Sequence, residues 1–332
     1  MKQIMKSYLA GRKRAGKVVL GLFCIVLLAT CGNYQPRKFV VGGTQNIAIL
    51  IIVAQQKGFF KAENVDVEYR PLQSGKITFD AIQSRQIDLA LLLDANLAFL
   101  GFAGPNDVRV IAQIMEKSDD GILARRDHGI SRPGDLVGKR VGYLPASTNY
   151  VFLHKFAQRN NLDLTKMTLV PMSPPTMQAA IVHGDVDAVS VWQPYRLNAM
   201  GVLGDKSVQF DNDGIYWTQV LLSVRSDTES SKGPELAQIL KALSMSAAYV
   251  NTHREECIYM VSRAIGVDKN ALERTWSHYR FGVTQADPPL VGRLVDLGNW
   301  ISATQPELRG KPMPDYKQFL APRILRGVQQ NQ

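Results

Sequence analysis

Cysteine is nearly absent: three residues in 332, at positions 24, 31 and 257. Two of them sit in or beside an N-terminal apolar run, so the remainder of the chain holds a single thiol and no disulfide framework. Cys257 then reads as a small buried apolar residue. The five histidines, at 128, 154, 183, 253 and 278, have no ligand spacing, so no zinc-type cluster is expected and no cofactor is called for. There is no G-x-S-x-G elbow. The stretch Gly134 to Arg140 imitates a phosphate-binding loop, but it is one residue short between its glycines. It also carries Arg140 where a Ser or Thr would hold magnesium. No fixed-period repeat and no low-complexity tract occurs. Acid is missing from residues 1–30, which carry six Lys and Arg. The formal charge of +10 therefore falls to +4 over the remainder, with the basic residues scattered, and a nucleic-acid partner is excluded. No charge-free apolar run approaches the ~20 residues of a spanning helix.

What is present begins with a targeting pattern. A basic region from Lys2 to Lys17 precedes eleven apolar residues, Val18 to Leu28. That is the layout of a secretory signal peptide, here 1–30. The run ends Leu28-Ala29-Thr30-Cys31, which resembles a bacterial lipobox and implies lipidation of Cys31. Thr30 stands where Gly, Ala or Ser is usual. The alternative is an ordinary cleaved leader with an incidental cysteine. Residues 31–38 form a polar tether.

The 45% hydrophobic and 20% charged content can build large cores, and the length suits about two domains of ~150 residues. Short apolar strands alternate with helical periodicity: strands at 39–41, 65–69, 87–93 and 108–114, helices at 46–56, 77–85 and 95–103. The pattern then restarts, with strands at 140–144, 168–170 and 186–191 and helices at 147–160 and 174–183. This predicts an α/β fold with two lobes, each a mostly parallel sheet flanked by helices. A strand at 216–224 suits a crossover between the lobes. Helices follow at 234–252, 253–265, 268–279, 288–303 and 315–327. A helical tail without a sheet must pack on something already built. The expected organisation is thus a discontinuous first lobe, 39–125 with 225–332, and an inserted second lobe, 126–224.

Small polar residues gather where strands end: Thr44 and Gln45, Ser74, Asp94, then Ser147, Thr148 and Asn149, and finally Trp192. Ligands of parallel α/β sheets bind outside these strand ends. Each loop alone reads more readily as a helix N-cap, but six such loops on two lobes, with Ser173-Pro174 as the sixth, point to a cleft. Ser147-Thr148-Asn149 at a helix start offers free N–H groups, hydroxyls and the positive dipole end to an anion. Thr44, Gln45, Ser74 and Asp94 would form the first-lobe wall. Asp94 could hold an amine or hydroxyl, and Trp192 an apolar part of the ligand.

Several motifs occur in one order. Ala54-Gln55-Gln56-Lys57-Gly58-Phe59-Phe60 with Asn64-Val65-Asp66-Val67-Glu68 comes first. Gln86 to Ala90 and Asp135 to Gly142 follow, then Gly184 to Ala188 with Val191-Trp192-Gln193-Pro194-Tyr195. Tyr279-Arg280-Phe281 and Pro322-Arg323 close the series. Over about Phe39 to Val328 the chain resembles the nitrate, sulfonate, taurine and pyrimidine-precursor binding proteins of ABC importers. Gln193 departs from the family's usual Glu, and Ala146 from its usual Gly. The resemblance implies the type II periplasmic-binding-protein fold with a ligand in the interlobe cleft. It also implies a monomeric, non-enzymatic lipoprotein on the periplasmic or cell-surface side of the membrane, passing a small anion or zwitterion to a permease and ATPase. The alternatives are a protein that binds or synthesises the thiamine pyrimidine, and a sensory lipoprotein without transport. The eukaryotic enzymes of that pyrimidine pathway carry a Cys-rich motif this chain lacks.

Overall fold

The computed structural model describes residues 38–285 and 289–321. The signal peptide, Cys31, nearly all of the tether and Pro322-Arg323 therefore lie outside the described residues.

Two mixed sheets follow one plan. In the first, β1 (Lys38–Gly43), β2 (Asp66–Pro71) and β3 (Leu89–Leu93) are parallel. β10 (Thr218–Arg225) lies antiparallel between β3 and β4 (Val108–Lys117), and β11 (Tyr279–Thr284) pairs antiparallel with β4. The order is β11-β4-β10-β3-β1-β2. In the second sheet, β6 (Arg140–Tyr143), β7 (Thr168–Pro171) and β8 (Ala188–Val191) are parallel, and β5 (Gly121–Arg125) lies antiparallel between β8 and β9 (Ser207–Phe210). That order is β7-β6-β8-β5-β9.

Helices cover both sheets: α1 (Ile49–Gln56), α2 (Phe59–Ala62), α3 (Gly75–Gln83), α4 (Asp94–Gly101), α5 (Thr148–Arg159), α6 (Pro174–His183) and α7 (Tyr195–Leu203). The tail adds α8 (Ser226–Ser231), α9 (Gly233–Thr252), α10 (Arg254–Ile265), α11 (Lys269–Thr275) and α12 (Pro289–Thr304). Strand alternation divides the cores. Leu89, Leu91 and Leu93 enter a core with α1, α9 and α10, whereas Ala90 and Leu92 enter a second core with α4 and α12. That second core continues through Ile122 and Ala124 of β5 into Val151, Phe152 and Phe156 of α5. The far face of the second sheet packs Leu123, Val189 and Val191 on Met177 and Ile181 of α6. α1 carries Ile49, Ile51, Ile52 and Val53, all buried. These β-branched residues are only middling helix formers, so burial rather than propensity holds this helix. Cys257 is fully buried in the first core, and burial pushes its thiol up to about 11.

The structure differs from the sequence reading in several places. β5, β9 and α7 carried no expected element, and β11 lies where only a helix end was expected. β5 pairs in the second sheet and β10 in the first, so bounds at 125/126 and 224/225 cut both strands from the sheets they join. The chain passes between the sheets at 118–120 and again at 211–217. The expected helix at 46–56 is broken at Ala48, whose φ of −91° and ψ of 9° part a 3-10 turn from α1. Where a helix was expected at 315–327, the described part is a 3-10 turn, Tyr316–Phe319, followed by extended chain bridged to Val110. Tyr316 and Phe319 are core residues, so packing against the sheet fixes this segment more than its periodicity does.

Candidate functional site

The carboxyl ends of β1, β3, β6 and β8 enclose a cavity of about 160 Å³. Thr44, Ser74, Ser147, Thr148 and Trp192 line it, five of the eight ligand residues expected from sequence. Gln45 lines an adjoining chamber that shares Thr44 and Trp192 with the first.

The α5 start supplies one wall. Ser147 Oγ accepts from Tyr150 N at 3.3 Å and donates to the Leu144 carbonyl at 2.7 Å, so this hydroxyl serves as the N-cap. The cap takes the Tyr150 N–H, while the N–H groups of Thr148 and Asn149 precede the first intrahelical acceptor and lie at the positive end of the dipole. Thr148 Oγ1 lies 3.5 Å from Asp120 Oδ1, the limit of a hydrogen bond, so it can turn to a ligand. Ala146, just ahead, lies in the left-handed region at φ 52°, where glycine is unstrained and alanine is not. Opposite, Ser74 caps α3 by accepting from Ile77 N at 3.3 Å. Gly75 lets Asn96 approach: a Cβ there would sit 2.2 Å from Asn96 Oδ1. The middle of the cavity is apolar, formed by Ile47, Leu91, Leu93, Leu144 and Trp192.

Two expected residues, Asp94 and Asn149, line neither space. Asp94 is fully buried and ion-paired to Arg293 of α12. It also accepts from Tyr216 Oη at 3.1 Å and Gln219 N at 3.3 Å. A carboxylate so committed has no free oxygen for a ligand amine. Asn149 is fully buried, and neither atom of its side-chain amide has a partner.

Sequence reading missed the charged floor. Lys117, 1% exposed, lines the cavity and gives its ammonium to Asp119 at 2.6 Å and to both oxygens of Asp120 at 3.2 Å. Asn46 and Tyr279 donate to Asp119 Oδ2 at 3.0 and 2.9 Å. Burial would raise Asp119, but Lys117 and these donors hold it below the ordinary carboxylate range. For Asp120 burial prevails: with the Asp119 charge beside it, its pKa is raised. Burial would lower Lys117, yet the two carboxylates raise it. Arg196 of α7 is stacked over Gly121 and donates to the Asp119 carbonyl at 3.3 Å. The available signal was Lys117-Ser118-Asp119-Asp120-Gly121, a charged knot between two apolar runs.

The model of the "NMT1/THI5 like" family matches residues 45–257. A Bacillus subtilis (strain 168) protein, provisionally named as aliphatic sulfonates-binding, is 25% identical over 273 residues, 78% of this chain and 81% of its own length. In structure, the alkanesulfonate-binding protein SsuA of Xanthomonas axonopodis pv. citri, bound to MOPS, superposes with a TM-score of 0.72 at 19% identity. That match covers 85% of this chain and 96% of SsuA. The desulfurization enzyme DszB superposes at 0.64 with 16% identity over 89% of this chain and 99% of its own. The fold is that of the periplasmic binding proteins, and the chain belongs to the NMT1/THI5-like family.

Proposed function

We propose that this chain is the solute-binding component of an ABC importer. It captures a small sulfonate-type anion with an aliphatic body and passes it to a permease and ATPase. Drawn by sheet membership, its lobes are 38–117 with the chain from 218 onward, and 121–210. In this reading the protein is exported, held by a lipid on Cys31 at the outer side of a bacterial membrane, and works as a monomer.

One observation carries the ligand class: one cavity is lined both by Ser147 and Thr148 at the start of α5 and by the apolar side chains of Ile47, Leu91, Leu93 and Trp192. A sulfonate suits the first and a hydrocarbon chain the second. The two buried aspartates nearest the cavity are already paired with Lys117, and Asp94 with Arg293. That favours an aliphatic sulfonate over a zwitterion such as taurine. The fold alone also serves an enzyme, so the argument rests on the lining.

Calorimetric titration with butane-1-sulfonate, taurine and nitrate tests this. Butane-1-sulfonate should bind tightest. Thr148→Ala should weaken it by ~1.5–3 kcal/mol, the range for hydrogen bonds to charged groups, while leaving the ligand-free melting curve in place. If no sulfonate binds, the reading fails.

A further inference from the structure

The chamber beside the main cavity measures about 200 Å³, and Thr44 and Trp192 belong to both. Its other polar groups are the amides of Gln45, Gln73 and Gln193 and the hydroxyl of Tyr195. No Asp, Glu, Lys or Arg lines it.

Gln193 sets its polarity. The side chain is 3% exposed, and its Oε1 accepts from Leu197 N at 3.0 Å. That bond fixes the amide, because flipping it would set the NH₂ group against the Leu197 N–H. Nε2 is left as a buried donor with no protein partner. An unmet buried donor is costly, so an acceptor that reaches Nε2, whether a water or an atom of the ligand, is favoured. A charged acceptor is disfavoured, since nothing in the lining would compensate it once water is displaced.

We propose that this chamber is a tail subsite. It receives an uncharged hydrogen-bond acceptor, such as a hydroxyl or ether oxygen, on the end of the ligand away from the anionic head. Gln193 Nε2 is its donor. The inference rests on the reading of the main cavity as the seat of the anion. A Glu at 193 would keep one oxygen on Leu197 N and turn the other, an acceptor, into the chamber. The preferred tail would then be a cation.

The test uses isosteric sulfonates titrated calorimetrically into the native protein: hexane-1-sulfonate, 5-hydroxypentane-1-sulfonate and 5-aminopentane-1-sulfonate, with the same three tails on shorter and longer chains. At the chain length that reaches Gln193, the hydroxyl tail should bind about tenfold tighter than the methyl tail, the value of one net hydrogen bond. Gln193→Leu should erase that preference, and a far-UV circular dichroism spectrum like the native one reports that the variant is folded. Gln193→Glu should move the preference to the ammonium tail. Equal binding of all three tails at every length, or the native ranking retained in Gln193→Leu, overturns the tail subsite and leaves the anion seat standing. Failure of every sulfonate to bind overturns both.

Discussion

His154 shows how one residue can tie pH to stability. Its ring meets Tyr150 edge-on at 4.7 Å and Trp300 at 5.1 Å, and its Nε2 has no partner. Burial lowers its pKa from 6.5 to about 4. The folded state therefore binds this proton less readily than the unfolded chain. Its contribution is complete above about pH 6.5 and is lost as pH falls toward 4, where the unfolded state is the better protonated. Tm should fall between pH 7 and pH 5. His154→Phe, which keeps a ring and cannot titrate, should flatten that slope; a slope equal to native would remove His154 as the cause. Legibility was uneven at this scale. Thr44, Ser74, Ser147, Thr148 and Trp192 were readable because strand ends of parallel sheets converge. Asp94 was misread because its partner, Arg293, lies 199 residues away. An acid after an apolar strand looks the same in sequence whether it waits for a ligand or holds a distant arginine.

Among the elements, the junction of β4 and β5 leaves no room for a side chain at Gly121. A Cβ on Gly121 would lie 1.5 Å from Arg196 Nη1 and 3.1 Å from the Phe210 carbonyl. Arg196 is 2% exposed, with Asp211 3.1 Å from the same nitrogen. It cannot swing into solvent without giving up that pair and its bond to the Asp119 carbonyl. Gly121→Ala should therefore destabilise the protein by ~1–3 kcal/mol, the usual range for overpacking. Urea unfolding measures it, and an unchanged midpoint would mean that Arg196 yields freely. β5 itself was hidden from a reading by pattern. Ile122, Leu123 and Ala124 are three apolar residues in a row after a charged knot, and only pairing with β8 and β9 defines the strand. β9 and β11 are short and partly exposed, so little periodicity marks them.

For the whole molecule, the proposed capture role predicts closure about the two passages between the sheets, 118–120 and 211–217. The cavity is lined from both sheets' strand ends, so a ligand touching both favours a closed arrangement over an open one. Small-angle scattering should show a smaller radius of gyration with saturating sulfonate. Trp192, in the cavity wall, should change its fluorescence in step. At a 100-fold excess over Kd the ligand should stabilise the fold by ~2.7 kcal/mol. Stabilisation without compaction would argue against closure.

The sequence by itself determined the alternation of strands and helices, the polar strand ends and the ordered motifs of the family. These are local properties: periodicity records which face of a segment is buried. It does not record what lies against that face. Only the tertiary structure decided which sheet β5 and β10 join, that α12 reaches Asp94, and that Lys117 sits between two aspartates beneath the cavity. It also decided which way the Gln193 amide points. Each depends on groups brought together from distant parts of the chain. In a buried setting the identity of the partner, not the residue type, fixes a group's charge and its freedom to bind.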